Sequence, residues 1–494
     1  MNKRVIVYVL GAVLLIEAAL MLLPLLVAVI YREKNGWYFL WVLLGAAMLG
    51  ALALGLGGRK RSAMYAKEGL IAVALSWIVL SLVGALPFTL SGQIPFYLDA
   101  VFEMISGFTT TGSSILPAVE PLDRCMLFWR SLSHWIGGMG ILVFMLAIVR
   151  MDGGQAIHLL RAESPGPTVS KMVPRMVDSS KILYGIYFGL TVVQILLYLA
   201  GGDPLFDSLC NAFGTAGTGG FGIYGDSIAG FSPFLQWAIA IFMIAFGVNF
   251  NVYFLLYMRR PKDALHCEEM HWYLGIIVAA ALMICANAYD VAMTLEGNLR
   301  QSFFQVASII TTTGFATTDF NLWPGFSHGI LVVLMFVGAC AGSTGGGFKV
   351  SRIVIGFKSV LAYLGAFLHP RVVRKVKFED KDVDGETMRA ISAYFTAAIG
   401  LFTISVLLVA LDGFDLVTTF SAVAATFNNV GPGLGVAGPT SNFAAFSDFS
   451  KVVMTMDMLL GRLEVFPMLM LFYPPLWKES IGEARIRRNR SPFH

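Results

Sequence analysis

Residues 99–114 read DAVFEMISGFTTTGSS, and the same outline returns three more times: DSLCNAFGTAGTGGFG (207–222), QSFFQVASIITTTGFA (301–316) and TTFSAVAATFNNVGPG (418–433). Aligned without gaps, each segment holds a small residue six positions before a shared glycine. The pairs are Ser106 and Gly112, Gly214 and Gly220, Ser308 and Gly314, Ala425 and Gly431. The first two segments also open on an aspartate, Asp99 and Asp207. The shared glycines lie 108, 94 and 117 residues apart, so the repeat unit is close to a hundred residues. In the second segment Gly217, Gly219 and Gly220 compete for the shared position, and the common spacing selects Gly220. Each segment pairs an apolar run too short to span a bilayer with small polar residues and a glycine.

The rest of the chain supplies the setting. Of 494 residues 57% are apolar and only 13% charged, whereas soluble domains carry about 25% charged residues. An ordinary soluble enzyme is excluded. A net charge of +4 is too mild to suggest nucleic acid as a partner. Five dispersed cysteines (Cys125, Cys210, Cys267, Cys285, Cys340) contain no CxxC pair, so neither a disulfide framework nor a zinc site follows. Ten long apolar stretches fall near 5–30, 37–57, 69–90, 126–149, 182–200, 232–258, 272–293, 326–368, 388–411 and 446–476. The first is too long for a signal-peptide core and contains Glu17 and Pro24, so it reads as a retained span. Connections on one side of the membrane hold 28 Lys and Arg, and the alternate ones hold six. Excess positive charge marks the cytoplasmic side, which puts both termini there and all four repeated segments outside.

That placement restricts what the segments can be. Irregular backbone at membrane depth survives only where protein buries it or where it lines a watery cavity. A short helix dipping in from outside aims its negative, C-terminal dipole end at the bilayer centre. The returning chain, repeated four times around one axis, presents rings of carbonyl oxygens that replace the water shell of a monovalent cation. Glycine allows the dihedrals that aim successive carbonyls at that axis. The candidate filter is therefore Thr110, Thr111 and Gly112; Thr218, Gly219 and Gly220; Thr312, Thr313 and Gly314; and Asn429, Val430 and Gly431. The threonines at 109–111 and 311–313 add hydroxyl oxygens.

A second glycine-rich stretch, GACAGSTGGGFKVSR (338–352), interrupts the apolar run 326–368. Each of Gly345, Gly346 and Gly347 would cost a continuous helix about 1 kcal/mol relative to alanine. Two half-helices joined by an intramembrane loop fit better. Arg462 lies within the final apolar stretch, where a charge costs at least ~2.5–3.5 kcal/mol unless it faces protein or water. Asp457 and Glu464 are near it in sequence but off its helical face. Gly342, Ser343, Thr344, Gly345, Gly346, Gly347 and Arg462 are thus the residues in these stretches that a plain apolar span does not explain.

With SGFTTTGS, IITTTGF and FNNVGPG, together with WRSLSHWIGGMGI (129–141) and MLLGRLEVFP (458–467), the chain resembles the Trk/Ktr/HKT superfamily of potassium transporters. The resemblance is closest to its bacterial TrkH/TrkG branch and covers essentially the whole chain. It implies an all-α polytopic membrane protein: two extra N-terminal spans (1–66), then four pseudo-symmetric span–pore helix–filter–span units at 67–178, 179–268, 269–384 and 385–494. The third unit carries the broken inner helix, and the fourth ends in a cytoplasmic tail. It also implies residence in the bacterial cytoplasmic (inner) membrane, a homodimer, and TrkA-type cytoplasmic nucleotide-binding regulatory subunits. Potassium (K+) is then the transported ion, with no organic cofactor bound by this chain and no enzymatic activity. In the family, glycine at all four filter positions accompanies potassium preference and serine at the first accompanies sodium permeation. Here all four are glycine. The second filter, TAGTGG, is richer in glycine than the family's TVSIGG-like pattern. The family places its gating loop at the 342–347 stretch and an arginine at the position of Arg462 beneath the filter, as an electrostatic barrier.

Several residues are left with plainer readings. Glu103, in the first short helix, either draws cations to the outer mouth or caps its neighbours. Glu17 is expected to pair with another helix and His134 to serve helix packing. Lys349 and Arg352 read as snorkelling residues, with Lys349 also within reach of the loop. The basic runs RVVRKVK (371–377) and RIRRNR (485–490) suit solvated faces, anionic lipid or a docked regulatory ring. A sodium-permeable or Ktr-like transporter is the nearest alternative function. An intramembrane enzyme would need convergent catalytic groups within the spans, which the sequence lacks. A transporter of organic substrates would show inverted repeats rather than four of one topology.

Overall fold

The structure, a computed structural model, describes residues 2–57, 66–140, 176–368 and 375–477. Three helices lead the chain: α1 (Lys3–Leu20), α2 (Leu22–Tyr31) and α3 (Gly36–Gly57). One pattern then recurs, a long helix, a short helix, an irregular stretch and a second short helix. It runs as α4 (Ala66–Leu90), α5 (Tyr97–Phe108) and α6 (Arg124–Gly138); then α7 (Met176–Ala200), α8 (Leu205–Ala216) and α9 (Pro233–Gly247). Small helices α10 (Phe250–Tyr257) and α11 (Pro261–Leu265) precede α12 (Glu268–Asn287), α13 (Leu295–Ile310), α14 (Gly325–Val337) and α15 (Val350–Leu368). A two-stranded antiparallel hairpin, β1 (Lys377–Phe378) and β2 (Lys381–Asp382), pairs Lys377 with Asp382. The last round is α16 (Gly385–Val409), α17 (Leu416–Phe427), α18 (Asp448–Arg462) and α19 (Phe466–Leu471).

Among the described residues, seven helical stretches are long and apolar enough to cross a membrane, or eight if α9 and α10 form one broken span. Their outward faces are apolar: Trp37, Trp41, Leu44, Met48 and Leu52 on α3 are exposed, as lipid-facing side chains must be. The leading helices α1 and α3 pack closely against each other through small residues. A Cβ on Gly11 of α1 would fall 2.9 Å from the Gly50 carbonyl of α3, and one on Gly50 equally near the Gly11 carbonyl. That contact needs glycine on both sides.

The four short helices α5, α8, α13 and α17 sit at the centre. Every residue of α5 from Ala100 to Phe108 is buried, as is every residue of α17 from Ser421 to Phe427. Burial on all sides rather than along one stripe marks helices enclosed by others. The twelve residues of α5 or α17 rise about 18 Å, well short of a ~30 Å hydrocarbon core.

The inner helices end early as well. A fifteen-residue helix such as α9 or α18 rises about 22 Å. α9 stops at Gly247, and α10 leaves at 87°, started by the Asn249 side chain accepting from the Asn251 N–H at 2.9 Å. α14 stops at Val337, and α15 begins only at Val350. α18 stops at Arg462; Glu464 and Val465 turn the chain at positive φ (+54° and +67°), and Pro467 lies in the first turn of α19. The sequence reading located a break only in 326–368. The apolar stretches 232–258 and 446–476 are broken too, by a cap and by two left-handed residues that hydropathy does not register. The part of 126–149 beyond Gly140, the basic residues at 59–61 and 150–175, the 369–374 part of the first basic run and RIRRNR lie outside the described residues.

Candidate ion pathway

All four repeated segments leave their helices in the same way. The residue before the shared glycine donates its N–H to the carbonyl of the small residue five positions back. These bonds are Thr111 to Ser106, Gly219 to Gly214, Thr313 to Ser308 and Val430 to Ala425, each at 2.8 Å. The next residue back is left-handed: Thr110 at φ +55°, Thr218 at +55°, Thr312 at +58° and Asn429 at +55°. This is the helix-ending turn in which glycine usually takes the left-handed place. Three β-branched threonines take it here, a conformation such residues seldom adopt. The shared glycines follow at +85°, +73°, +84° and +103°. The pattern in the second segment falls on Thr218 and Gly220, the register that the spacing selected.

The segments also close on one another. A Cβ on Gly112 would lie 2.1 Å from the Gly219 carbonyl oxygen; one on Gly220, 1.8 Å from Thr313 O; one on Gly314, 2.3 Å from Val430 O; one on Gly431, 2.8 Å from Thr111 O. Each glycine therefore abuts the carbonyl before the glycine of the next segment, and the fourth returns to the first. The result is a closed ring. Ser113 Oγ donates to the Gly431 carbonyl at 2.9 Å, and Asn429 Nδ2 to Thr111 Oγ1 at 2.9 Å, tying the fourth segment to the first. The Thr111 and Thr313 hydroxyls meet those of Thr109 and Thr311 at 2.8 and 2.7 Å.

Buried side chains brace the ring from behind. Glu103 of α5 and Arg130 of α6 form an ion pair at 2.7 Å, both essentially inaccessible. Glu103 also accepts from Ser114 Oγ and from the Ile115 N–H at 3.0 Å, just past Gly112. The Arg130 guanidinium lies over the Phe221 ring at 4.1 Å, just past Gly220. Of the two readings open for Glu103, the structure takes the bracing one: its carboxylate faces protein, not the mouth. His134 stacks on Phe221 with centroids 4.3 Å apart and backs onto Gly219. Its packing role is thus against the second segment rather than simply helix on helix.

On the other side of the ring a hollow of about 120 Å³ is lined by Gly112, Gly220, Gly314 and Gly431 with Ser113, Ser114 and Thr440. At its rim Glu120 accepts from the Gly225 N–H at 2.6 Å, which holds its carboxyl below the usual range. Asp203, in the turn before α8, is pushed up to about 6 by burial and by the charge of Asp207.

Beneath the ring lies the 338–349 loop. Gly346 N–H donates to Thr312 Oγ1 at 2.6 Å and Gly347 N–H to Asn428 O at 3.1 Å. Arg462 donates to Thr344 O at 2.9 Å, to Gly138 O at 2.8 Å and to Gly137 O, so it bridges the loop and the end of α6. Sequence reasoning brought Thr344 and Arg462 to one place, and they meet. The snorkelling reading of Lys349 and Arg352 does not hold, because both are buried. Lys349 Nζ donates to Gly345 O and Gly346 O within the loop. Arg352 pairs with Glu464 and lies over the Tyr394 ring at 4.3 Å. Glu464 and Asp457 stay off Arg462, the latter accepting from Ser405 Oγ at 2.6 Å. Glu17 does not pair as expected either: it is buried beside Gly84 of α4, and neither of its oxygens has a hydrogen-bond partner among the described residues.

Sequence reasoning missed Glu33, whose carboxylate accepts the Arg124 and Cys125 N–H groups at 2.7 and 2.9 Å and so caps α6 from the α2–α3 turn. Its contact lies 91 residues away in sequence. No local signal marks it.

The helices define a membrane protein with a ring of four equivalent turns at its centre, and the chain belongs to the TrkH cation transport protein family, whose model matches residues 46–275 and 270–479. Membership places it among transporters rather than enzymes. It is 37% identical over 488 residues to the Trk system potassium uptake protein TrkH of Salmonella typhimurium, covering 97% of this chain and all of that protein. It is 31% identical to Trk system potassium uptake protein TrkG of Escherichia coli, covering 97% and 99%. The crystal structure of the potassium transporter TrkH from Vibrio parahaemolyticus matches with a TM-score of 0.88 at 32% identity, covering 97% of this chain and all of that one.

Proposed function

We propose that this chain takes up potassium across the cytoplasmic membrane through the ring formed by its four repeated segments. The closed circuit of glycine-to-carbonyl contacts carries the reading, because only a single shared axis brings four distant segments into mutual contact. A potassium ion entering the outer hollow exchanges water for the carbonyl oxygens of Thr110, Thr111, Gly112 and their counterparts. Four glycines, with no serine at the first position, favour potassium over sodium. Each leaves room for the carbonyl of the next segment, which a Cβ would displace. The membrane potential drives the ion inward with about 2.3 kcal/mol per 100 mV.

Below the ring, residues 342–347 and Arg462 act as the gate: the loop closes the path and the guanidinium adds a positive barrier. The units run 67–178, 179–268, 269–384 and 385–494 behind a two-span leader at 1–66, with both termini cytoplasmic. The molecule works as a homodimer in the lipid bilayer, controlled by a cytoplasmic nucleotide-binding regulatory subunit. Such subunits are in keeping with the Trk system named for its relatives. The test is growth: a bacterium stripped of potassium uptake and supplied with this chain and a regulatory partner grows at low potassium. Failure despite membrane expression would refute the proposal.

A further inference from the structure

We infer that Glu269 is a positioning residue that clasps both ends of the intramembrane loop, and so sets how firmly the loop closes the path. The inference rests on the reading of residues 342–347 as the gate. Glu269 lies in the first turn of α12 and is 2% exposed. Its Oε1 accepts the Ala341 N–H at 2.7 Å, where the loop begins, and the Ser351 N–H at 3.1 Å, where α15 begins. Its Oε2 accepts from Asn249 Nδ2 at 3.3 Å, at the bend between α9 and α10. One carboxylate thus joins the loop's entry, its exit and the broken leg of the second unit.

The same bend holds the loop through its backbone. Phe250 N–H donates to Gly342 O and Cys340 N–H to Gly247 O, each at 3.0 Å. Hydrogen bonds from N–H groups to a buried carboxylate are among the stronger ones in a protein. The Ser351 N–H is one of the unpaired donors of a helix N-terminus, where negative charge is favoured. A chain with this many glycines has little stiffness of its own, so external anchors decide where it rests.

The neighbouring Glu268 faces the other way. It pairs with Lys358 of α15 and accepts the Glu379 N–H at 3.2 Å, in the turn between β1 and β2. Two adjacent carboxylates therefore connect the hairpin on one side of α12 to the loop on the other.

Rubidium influx into proteoliposomes containing the full chain, without regulatory subunit, tests the clasp. Glu269→Ala is expected to raise basal influx about tenfold, the population shift that follows from losing charge-assisted bonds in the closed state only. Glu269→Asp, which keeps the charge but withdraws it by one methylene, is expected to raise it less. It decides the matter if the alanine variant fails to assemble. Glu269→Gln is expected between the parent and alanine, since its amide oxygen still accepts both N–H groups while the charge, and the acceptor for Asn249 Nδ2, are lost. Misfolding lowers influx, so a rise is not a folding artefact. Arg462→Ala in the same assay separates the two readings. If it raises influx while the Glu269 variants leave it unchanged or lower, the clasp is wrong and the gate stands. If Arg462→Ala is also without effect, the gate reading fails and takes the clasp with it. Gln behaving like Ala would likewise overturn the clasp.

Discussion

At the level of single residues, the ring tolerates no side chain, but its four corners differ in how much room they leave. Alanine at 220 would bring its Cβ within 1.8 Å of Thr313 O, and at 431 within 2.8 Å of Thr111 O. Both positions carry positive φ, which costs an L-residue about 1–2 kcal/mol. Gly220→Ala is therefore expected to abolish rubidium uptake, and Gly431→Ala to retain a measurable fraction. Equal loss at both would show that strain rather than blockage sets the effect. The buried pair behind the ring makes a second prediction. Glu103→Leu leaves the Arg130 charge stranded, which costs about 3–5 kcal/mol; the double change Glu103→Leu, Arg130→Met should recover much of the lost thermal stability. The glycines were legible because spacing repeats and glycine has no substitute there. The Glu103–Arg130 pair was not, since its partners lie on different helices and nothing in sequence says which buried acid meets which buried base.

At the level of elements, the loop and Arg462 are bonded to each other, which is the ground for proposing them as one gate. Removing the guanidinium deletes its bonds to Thr344 O and Gly138 O and the positive field beneath the ring. Arg462→Ala is expected to raise influx several-fold in the absence of regulatory subunit, read as initial rubidium uptake; unchanged uptake would remove Arg462 from the gate. The break at 338–349 could be read from sequence because three successive glycines are poor helix formers. The breaks at Val248–Asn249 and Leu463–Val465 could not. No glycine run marks them; beyond the Asn249 cap and the positive-φ pair Glu464 and Val465, they are held by partners far along the chain, Gly342 O for the Phe250 N–H and Arg352 for Glu464. Local pattern reports what a segment prefers, whereas these bends are imposed by what surrounds it.

At the level of the whole molecule, topology follows from charge. The 28-to-6 division of Lys and Arg between alternate connections is the ground for proposing that both ends of the chain lie inside. A reporter enzyme active only outside the cytoplasmic membrane should be silent when fused after the final residue and active when inserted near Tyr289, between α12 and α13. The reverse pattern would invert the molecule and put the dipole argument at the wrong face. That the chain is largely helical and crosses a membrane many times was legible, because a membrane leaves few ways to satisfy a backbone; of the ten apolar stretches, seven or eight appear as spans among the described residues. How the units meet was not, since the ring contacts join residues more than ninety positions apart.

The ring's corners are all encoded in one polypeptide, and this separates it from an aperture assembled from identical subunits. In such an assembly every substitution arrives four times at once, and most are lethal to the opening. Here Thr110, Thr218, Thr312 and Asn429 hold equivalent places with unequal side chains. Each quarter of the aperture has its own codon and can drift alone. If the ring selects the ion as proposed, its preference is open to change by single steps, with three unaltered quarters keeping the ring in shape while the fourth is tried.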